Sequence, residues 1–225
     1  MSKLIVRTPG QMDYLPAYNA MQAFTVARTE STAHEIWFTE HPPVITLGTN
    51  AKPEHILDSG DTPVVQTDRG GQVTWHGPGQ LMVYLMLDLK PLKLTVKGLV
   101  QGMESAAIGL LASYGITAQC RAGAPGVYVD ERKIASLGVR VKHGCSYHGM
   151  AINVCNEVDA FAGINPCGYP GLTTIRINDL LTAGTAAKTL RDVGNDVLPF
   201  LLQHLKLNQC ELSASVNRWS DATTN

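Results

Sequence analysis

The chain has 225 residues, 44% of them apolar, with 18 Lys and Arg scattered against 19 Asp and Glu for a formal net charge of -1. That length and apolar share fit one globular domain with a sizeable core or two small lobes, and a near-neutral balance without a basic stripe argues against a nucleic-acid binder. The longest apolar run, Leu81 to Leu87, falls far short of the roughly 20 residues a membrane-spanning helix needs, and Met1 to Arg7 lacks the apolar core of a signal peptide, so a cytosolic protein is expected, with no membrane partner.

The first predicted element is a helix over about residues 12–28, where Leu15, Tyr18, Met21 and Phe24 share one side before Thr29-Glu30-Ser31-Thr32 breaks the pattern. Strand signals follow at Val44 to Leu47 and Val64 to Thr67. The stretch Arg69-Gly70-Gly71-Gln72-Val73-Thr74-Trp75-His76-Gly77-Pro78-Gly79-Gln80 then sets glycines and a proline among large polar groups. It reads as a loop shaped around a ligand, because glycine lets backbone approach a bound molecule closely. Leu81 to Leu89 is apolar on both faces, as in a central strand of a covered sheet.

A clear helix comes next, with Val96, Leu99, Val100, Met103, Ala106, Ala107, Leu110, Leu111 and Tyr114 at helical spacing and Gly115 as its stop. A meander from Gly126 to Val154 opens with a hairpin, Val127-Tyr128-Val129 and Lys133-Ile134-Ala135 flanking the charged tip Asp130-Glu131-Arg132. Gly163, Pro166, Gly168, Pro170 and Gly171 argue against regular structure in their region. Leu190, Val193, Val197, Leu198, Leu201, Leu202 and Leu205 mark a last core-facing helix, and about residues 215–225 read as a loosely held tail. One α+β domain spanning 1–225 is the simplest account.

Cys120, Cys145, Cys155, Cys167 and Cys210 form no close pairs, so reduced thiols are expected. Cys120 and Cys155 close apolar strand patterns and Cys210 follows the last helix, which favours a structural reading for all three. Cys167 differs, because Pro166 and Gly168 hold it on a loop where a thiol is accessible. A thiol reacts as the thiolate and needs a positive neighbour, for which Lys133, Arg140, Lys142, His143 and His148 are candidates. Alternation puts Lys133 on one face with Ala135 and Leu137, along an apolar surface; a solvated lysine beside the hairpin tip is the competing reading.

Cys145 is a rival nucleophile in His143-Gly144-Cys145-Ser146-Tyr147-His148, with imidazoles on both sides as bases. As metal ligands these residues match no standard zinc spacing, so no metal is expected. His76 reads either as a donor to a substrate carbonyl or as a cap on local backbone. The chain has no Gly-x-x-x-x-Gly-Lys-Ser/Thr loop, no Gly-x-Gly-x-x-Gly and no Gly-x-Ser-x-Gly elbow, which leaves ATP-driven and nicotinamide chemistry unsupported.

Four blocks in order, Glu40-His41-Pro42-Pro43-Val44-Ile45-Thr46-Leu47-Gly48, Arg69 to Gln80 followed by Tyr84, Lys133-Ile134-Ala135-Ser136-Leu137-Gly138-Val139-Arg140, and Asn165-Pro166-Cys167-Gly168, resemble the lipoyl(octanoyl) transferase family. The resemblance spans about Glu40 to Asp179. It implies a fold like that of biotin and lipoate protein ligases, a mixed sheet with packed helices. It also implies an acyltransferase that moves octanoyl from acyl carrier protein to a lysine of lipoyl domains, such as those of 2-oxoacid dehydrogenase complexes and the glycine cleavage H protein, with no cofactor. Residue by residue, Cys167 matches the acylated cysteine and Lys133 the lysine that pairs with it and favours the thiolate. Arg69, Gly70, Gly71, Gln72, Val73, Thr74, Trp75 and His76 match a loop lining the acyl site, and Ser136, Leu137, Gly138, Gly149, Met150 and Ala151 match two strand segments beside it. Met150 departs from the bulkier apolar residue of many relatives.

On this reading small residues such as Gly70, Gly71 and Gly149 leave room for the acyl chain, so Gly149→Leu is expected to shorten the chain accepted. Backbone N–H groups near Gly77, Gly79 or Gly138 are candidate oxyanion donors. Arg121, Arg132, Arg140 and Lys142 are candidates for docking an acidic carrier. The alternatives are an ATP-dependent lipoate or biotin ligase, a non-catalytic acyl-carrier or lipoyl-domain binding module, and a Cys145 thioesterase.

Overall fold

Alternation on one strand shows how the layers are arranged. In the computed structural model, which describes residues 2–217, the elements run β1 (Lys3–Gln11), α1 (Tyr14–Val26), β2 (His34–Glu40), β3 (Val44–Leu47), β4 (Val64–Gln66), β5 (Val73–His76), β6 (Gln80–Met86), α2 (Val96–Ser113), β7 (Gln119–Cys120), β8 (Val127–Val129), β9 (Arg132–Lys142), β10 (Cys145–Asn153), α3 (Leu190–His204) and β11 (Glu211–Asn217). Along β6, Leu81, Val83 and Leu85 enter a core with Leu99, Met103 and Leu110 of α2 and Val193, Val197 and Leu201 of α3. The intervening Met82, Tyr84 and Met86 face the other way, onto Met21 of α1. Both faces are therefore covered and all of β6 is buried; each fully buried leucine contributes roughly 1.5–3 kcal/mol.

The strand order is β11-β1-β2-β6-β10-β9-β8-β7, parallel from β11 to β2 and antiparallel from β2 onward. A second sheet, β4-β3-β5, carries Val73–His76 from the middle of the glycine-rich region. The chain is thus one α+β domain with a mixed sheet, as expected. The helices start and stop for local reasons: Thr95 accepts from Gly98 N and Thr189 forms a reciprocal capping box with Asp192, while Gly115 supplies a φ of +76° just after α2.

Two expectations change. Val73–His76 is a buried strand, not loop, because it pairs antiparallel with β3; only its flanks are irregular. β1, β2 and β11 are absent from the expected strands. In β2 the buried Glu35 is tolerated because Arg7 Nε and Nη2 each donate to it at 2.6 Å and Trp37 Nε1 donates at 2.6 Å. Of the expected tail, residues 215–217 belong to β11 and 218–225 lie outside the described residues.

Candidate active site

Cys167 stands at the centre of the turn Pro166–Gly168 with a left-handed φ of +56°, followed by Gly168 at +78°. Gly168 N donates to Asn165 O at 2.9 Å and Asn165 N to His55 O at 2.8 Å, which fixes the turn. A left-handed cysteine is costly unless its surroundings impose it, a pattern concentrated at working sites. The half-buried sulfur accepts a hydrogen bond from Lys133 Nζ at 2.9 Å.

Lys133 reaches that sulfur because β9 is bulged. The register with β8 slips between Val127 and Tyr128, so that Val127 faces Ala135 while Tyr128 faces Lys133. Ile134 and Ala135 both enter the core beneath α2, and alternation is broken there. The expected sharing of one face by Lys133, Ala135 and Leu137 is thereby overturned: Lys133 lies with Tyr128, whose neighbours Val127 and Val129 point into the core. Its side chain is buried at 1% exposure. Besides the sulfur, Nζ donates to Pro125 O at 2.9 Å and lies 5.2 Å from the Tyr128 ring centroid. Burial disfavours the ammonium, but the Cys167 sulfur and Tyr128 outweigh it and raise the Lys133 pKa. Lys133 N donates to Thr173 O at 2.9 Å and Ile175 N to Lys133 O at 3.0 Å, so the chain just past Cys167 is laddered onto the lysine itself.

From Cys167 a cavity of about 470 Å³ extends between the large sheet and the glycine-rich region. Its lining includes Arg69, Gly70, Gly71, Gln72, Val73, Thr74, His76, Ser136, Leu137, Gly138, Gly149, Met150 and Ala151. Ser136 pairs with Ala151 and Gly138 with Gly149, which makes a floor of small side chains across two strands. Trp75 is set apart, its ring packed edge-on against Phe161 at 5.5 Å in a separate cluster. Gly149 does not make room in the expected way: a Cβ there would lie 2.0 Å from Val83 O, so glycine is required for strand contact. At Gly138 the obstacle is Gly70 O, at 2.8 Å.

Arg69 is buried without a carboxylate; its guanidinium donates to Thr46 O and Gln72 O at 2.7 Å and to Gly70 O at 3.0 Å. It therefore shapes the glycine-rich turn, and burial lowers its pKa. His76 is neither a free donor nor a backbone cap. Its Nδ1 lies 2.7 Å from Gln80 Oε1 and its Nε2 3.3 Å from Thr46 Oγ1, and burial pushes its pKa down to about 3. Gln80 Nε2 continues to Asn153 Oδ1 at 2.9 Å, and Asn153 Nδ2 to Ile175 O at 3.1 Å. A buried polar chain thus joins Arg69 to the segment laddered onto Lys133. Gly79 N is already committed to Glu40 Oε2 at 2.9 Å, which removes it as an oxyanion donor.

The other thiols are differently placed. Cys120 and Cys155 are exposed, against the structural reading. Cys145 Sγ lies 3.8 Å from His143 O, burial raises its pKa, and the imidazole of His148 is engaged with Asp68 instead. Arg121 and Arg132 are paired with Glu131 and Asp130. Among the described residues no cluster of three His, Cys, Asp or Glu is arranged to hold a metal, and no helix is long and apolar enough to cross a membrane. Pro125 and Asp68 are contributors that sequence reasoning missed; nothing in the local pattern marks a carbonyl as an anchor.

The family model described as the lipoyl protein ligase A/B catalytic domain matches residues 13–193. An octanoyltransferase of Methylococcus capsulatus is 57% identical over 176 residues, 78% of this chain and 85% of its own length. One from Dechloromonas aromatica is 53% identical over 201 residues, 89% and 96% of the two chains. Among solved structures, a putative lipoate protein ligase from T. acidophilum with bound lipoic acid superposes with a TM-score of 0.73 at 13% identity, covering 96% of this chain and 90% of that one. A biotin protein ligase from Aquifex aeolicus gives 0.52 at 12% identity, covering 93% and 72%.

Proposed function

We propose that this chain, which belongs to the lipoyl protein ligase A/B catalytic domain family, moves octanoyl groups from an acyl carrier protein to a lipoyl-domain lysine through a thioester on Cys167. The observation that carries the reading is the 2.9 Å contact between Lys133 Nζ and Cys167 Sγ at the end of a cavity floored by small side chains. The donor is the phosphopantetheine thioester of the carrier, and the acceptors are lipoyl domains of 2-oxoacid dehydrogenase complexes and the glycine cleavage H protein.

The steps balance with Lys133 as the only proton carrier. The Cys167 thiolate attacks the octanoyl carbonyl and the carrier's sulfur leaves, taking a proton from the Lys133 ammonium. Exchange of one thioester for another is close to thermoneutral and needs no nucleotide. Once Cys167 is acylated, the larger influence that raised the Lys133 pKa is gone, and burial, which lowers it, is opposed by Tyr128 alone. The amine is then ready to take the proton released when the acceptor lysine attacks the thioester. Cys167 departs as thiolate, Lys133 is again an ammonium, and the amide product lies downhill. The carbonyl of Pro125 anchors Nζ beside the sulfur.

The test is intact-mass measurement after mixing the chain with octanoyl carrier protein. An adduct of one octanoyl group is expected, mapped to the Cys167 peptide, chased onto a lipoyl domain, and absent from Cys167→Ala. A stable adduct elsewhere, or activity requiring free octanoate and ATP, overturns the reading.

A further inference from the structure

His148 sits in the middle of β10 with a left-handed φ of +59°. A non-glycine residue holds that conformation in a strand only when its surroundings impose it. Adjacent strand side chains normally point to opposite faces, yet the rings of Tyr147 and His148 stack with centroids 5.1 Å apart. The distortion therefore turns His148 toward α1, where Tyr18 covers it at 5.2 Å and its Nε2 lies 3.2 Å from Asp68 Oδ1. The Tyr147 hydroxyl and Gln22 Nε2 also donate to Asp68. Burial opposes the Asp68 charge, but His148, Tyr147 and Tyr18 outweigh it and hold the carboxyl well below the usual range.

His148 lines the large cavity, whereas Asp68 and Tyr147 line a second one of about 230 Å³ that also touches Thr25, Arg140 and Lys142. Thr25 Oγ1 is buried there with no partner. His148 in one lining and Asp68 in the other are joined by the 3.2 Å hydrogen bond.

We propose that the His148–Asp68 pair is the back wall of the acyl cavity and sets the longest fatty chain this enzyme accepts. An alkyl chain anchored at Cys167 and laid over the Ser136/Ala151 and Gly138/Gly149 pairs ends against this wall. It does not pass, because hydrocarbon offers no hydrogen bond to replace the one that the buried His148 and the half-buried Asp68 would lose, and leaving the imidazole unpaired costs more than a methyl contact returns. A partition built from polar bonds rather than packed hydrocarbon also yields to a single substitution, and the space behind it already exists. The inference rests on the octanoyl-transfer reading above.

The experiment offers equimolar octanoyl and dodecanoyl carrier thioesters to the unaltered chain and to Asp68→Ala, Asp68→Asn and His148→Gly, and reads the acyl group on the acceptor lysine by mass. Glycine adopts the φ of position 148 without strain. The unaltered chain is expected to favour octanoyl by at least about tenfold, a discrimination within reach of a few methylenes. The dodecanoyl share should rise about tenfold in Asp68→Ala and His148→Gly and stay put in Asp68→Asn, which keeps the wall's shape. A ratio near one in the unaltered chain overturns the proposal without any variant. So does an unchanged ratio in an active wall-opening variant, or a proportional loss with both donors. Failure of the unaltered chain to acylate any lysine would instead sink the transferase reading.

Discussion

Lys133 carries two tasks that two substitutions can separate. Lys133→Met removes charge and proton together, and acylation of Cys167 should fall by roughly 10²–10⁴-fold, the usual share of a positioned acid–base group. The same variant should melt lower than the parent, since removing one partner alone of a buried hydrogen-bonded pair is destabilising. Lys133→Arg keeps a cation but cannot give up its proton, so it should retain more iodoacetamide reactivity at Cys167 than the methionine variant while still failing in turnover. Equal thiol reactivity in the two variants would contradict a charge-based role. Thiol alkylation rates and thermal melts read both outcomes.

At the scale of elements, the bulge in β9 and the glycine in β10 decide what the sheet can present. Gly149→Ala places a Cβ 2.0 Å from Val83 O, so it should lower the melting temperature, at a cost of roughly 1–3 kcal/mol, and slow transfer of every chain length alike. Preserved stability with altered chain preference would show that the added methyl acts on the acyl chain and not on the contact with Val83. The helices α2 and α3 were legible because their stripes repeat every turn in one direction. The face of Lys133 was not, since a bulge is a property of two strands and only one is visible in any local window. β2 was hidden for a related reason: His34, Glu35 and Thr39 are buried polar residues, and what makes Glu35 tolerable is an arginine 28 positions away.

Across the whole molecule, four of the described histidines, His34, His41, His76 and His148, are buried with lowered pKa. Burial pushes His34 and His41 down to about 4 and His76 to about 3. Each folded pKa lies below the ordinary value, so the unfolded chain binds the extra protons. Their contribution to stability is complete above about pH 6.5 and is lost as the pH falls through 4. Urea midpoints should therefore drop between about pH 7 and about pH 4.5, and a flat profile would count against neutral burial. The site was legible in part. Cys167 announced itself through its proline and glycine neighbours, and the glycine-rich segment through its composition. The pairing of Asp68 with His148 spans 80 positions and joins the loop after β4 to the middle of β10.

The two backbone bonds that join Lys133 to Thr173 and Ile175 bear on how the enzyme breathes. Sulfur and ammonium ride on one stitched patch, so rocking of that patch carries both together and leaves their separation almost untouched. When macromolecular guests come and go at the mouth, the surrounding walls can yield while the reacting atoms keep step with each other. Amide protons at 133 and 175 should then exchange with solvent at matched, slow rates, as belongs to a single knot that opens all at once.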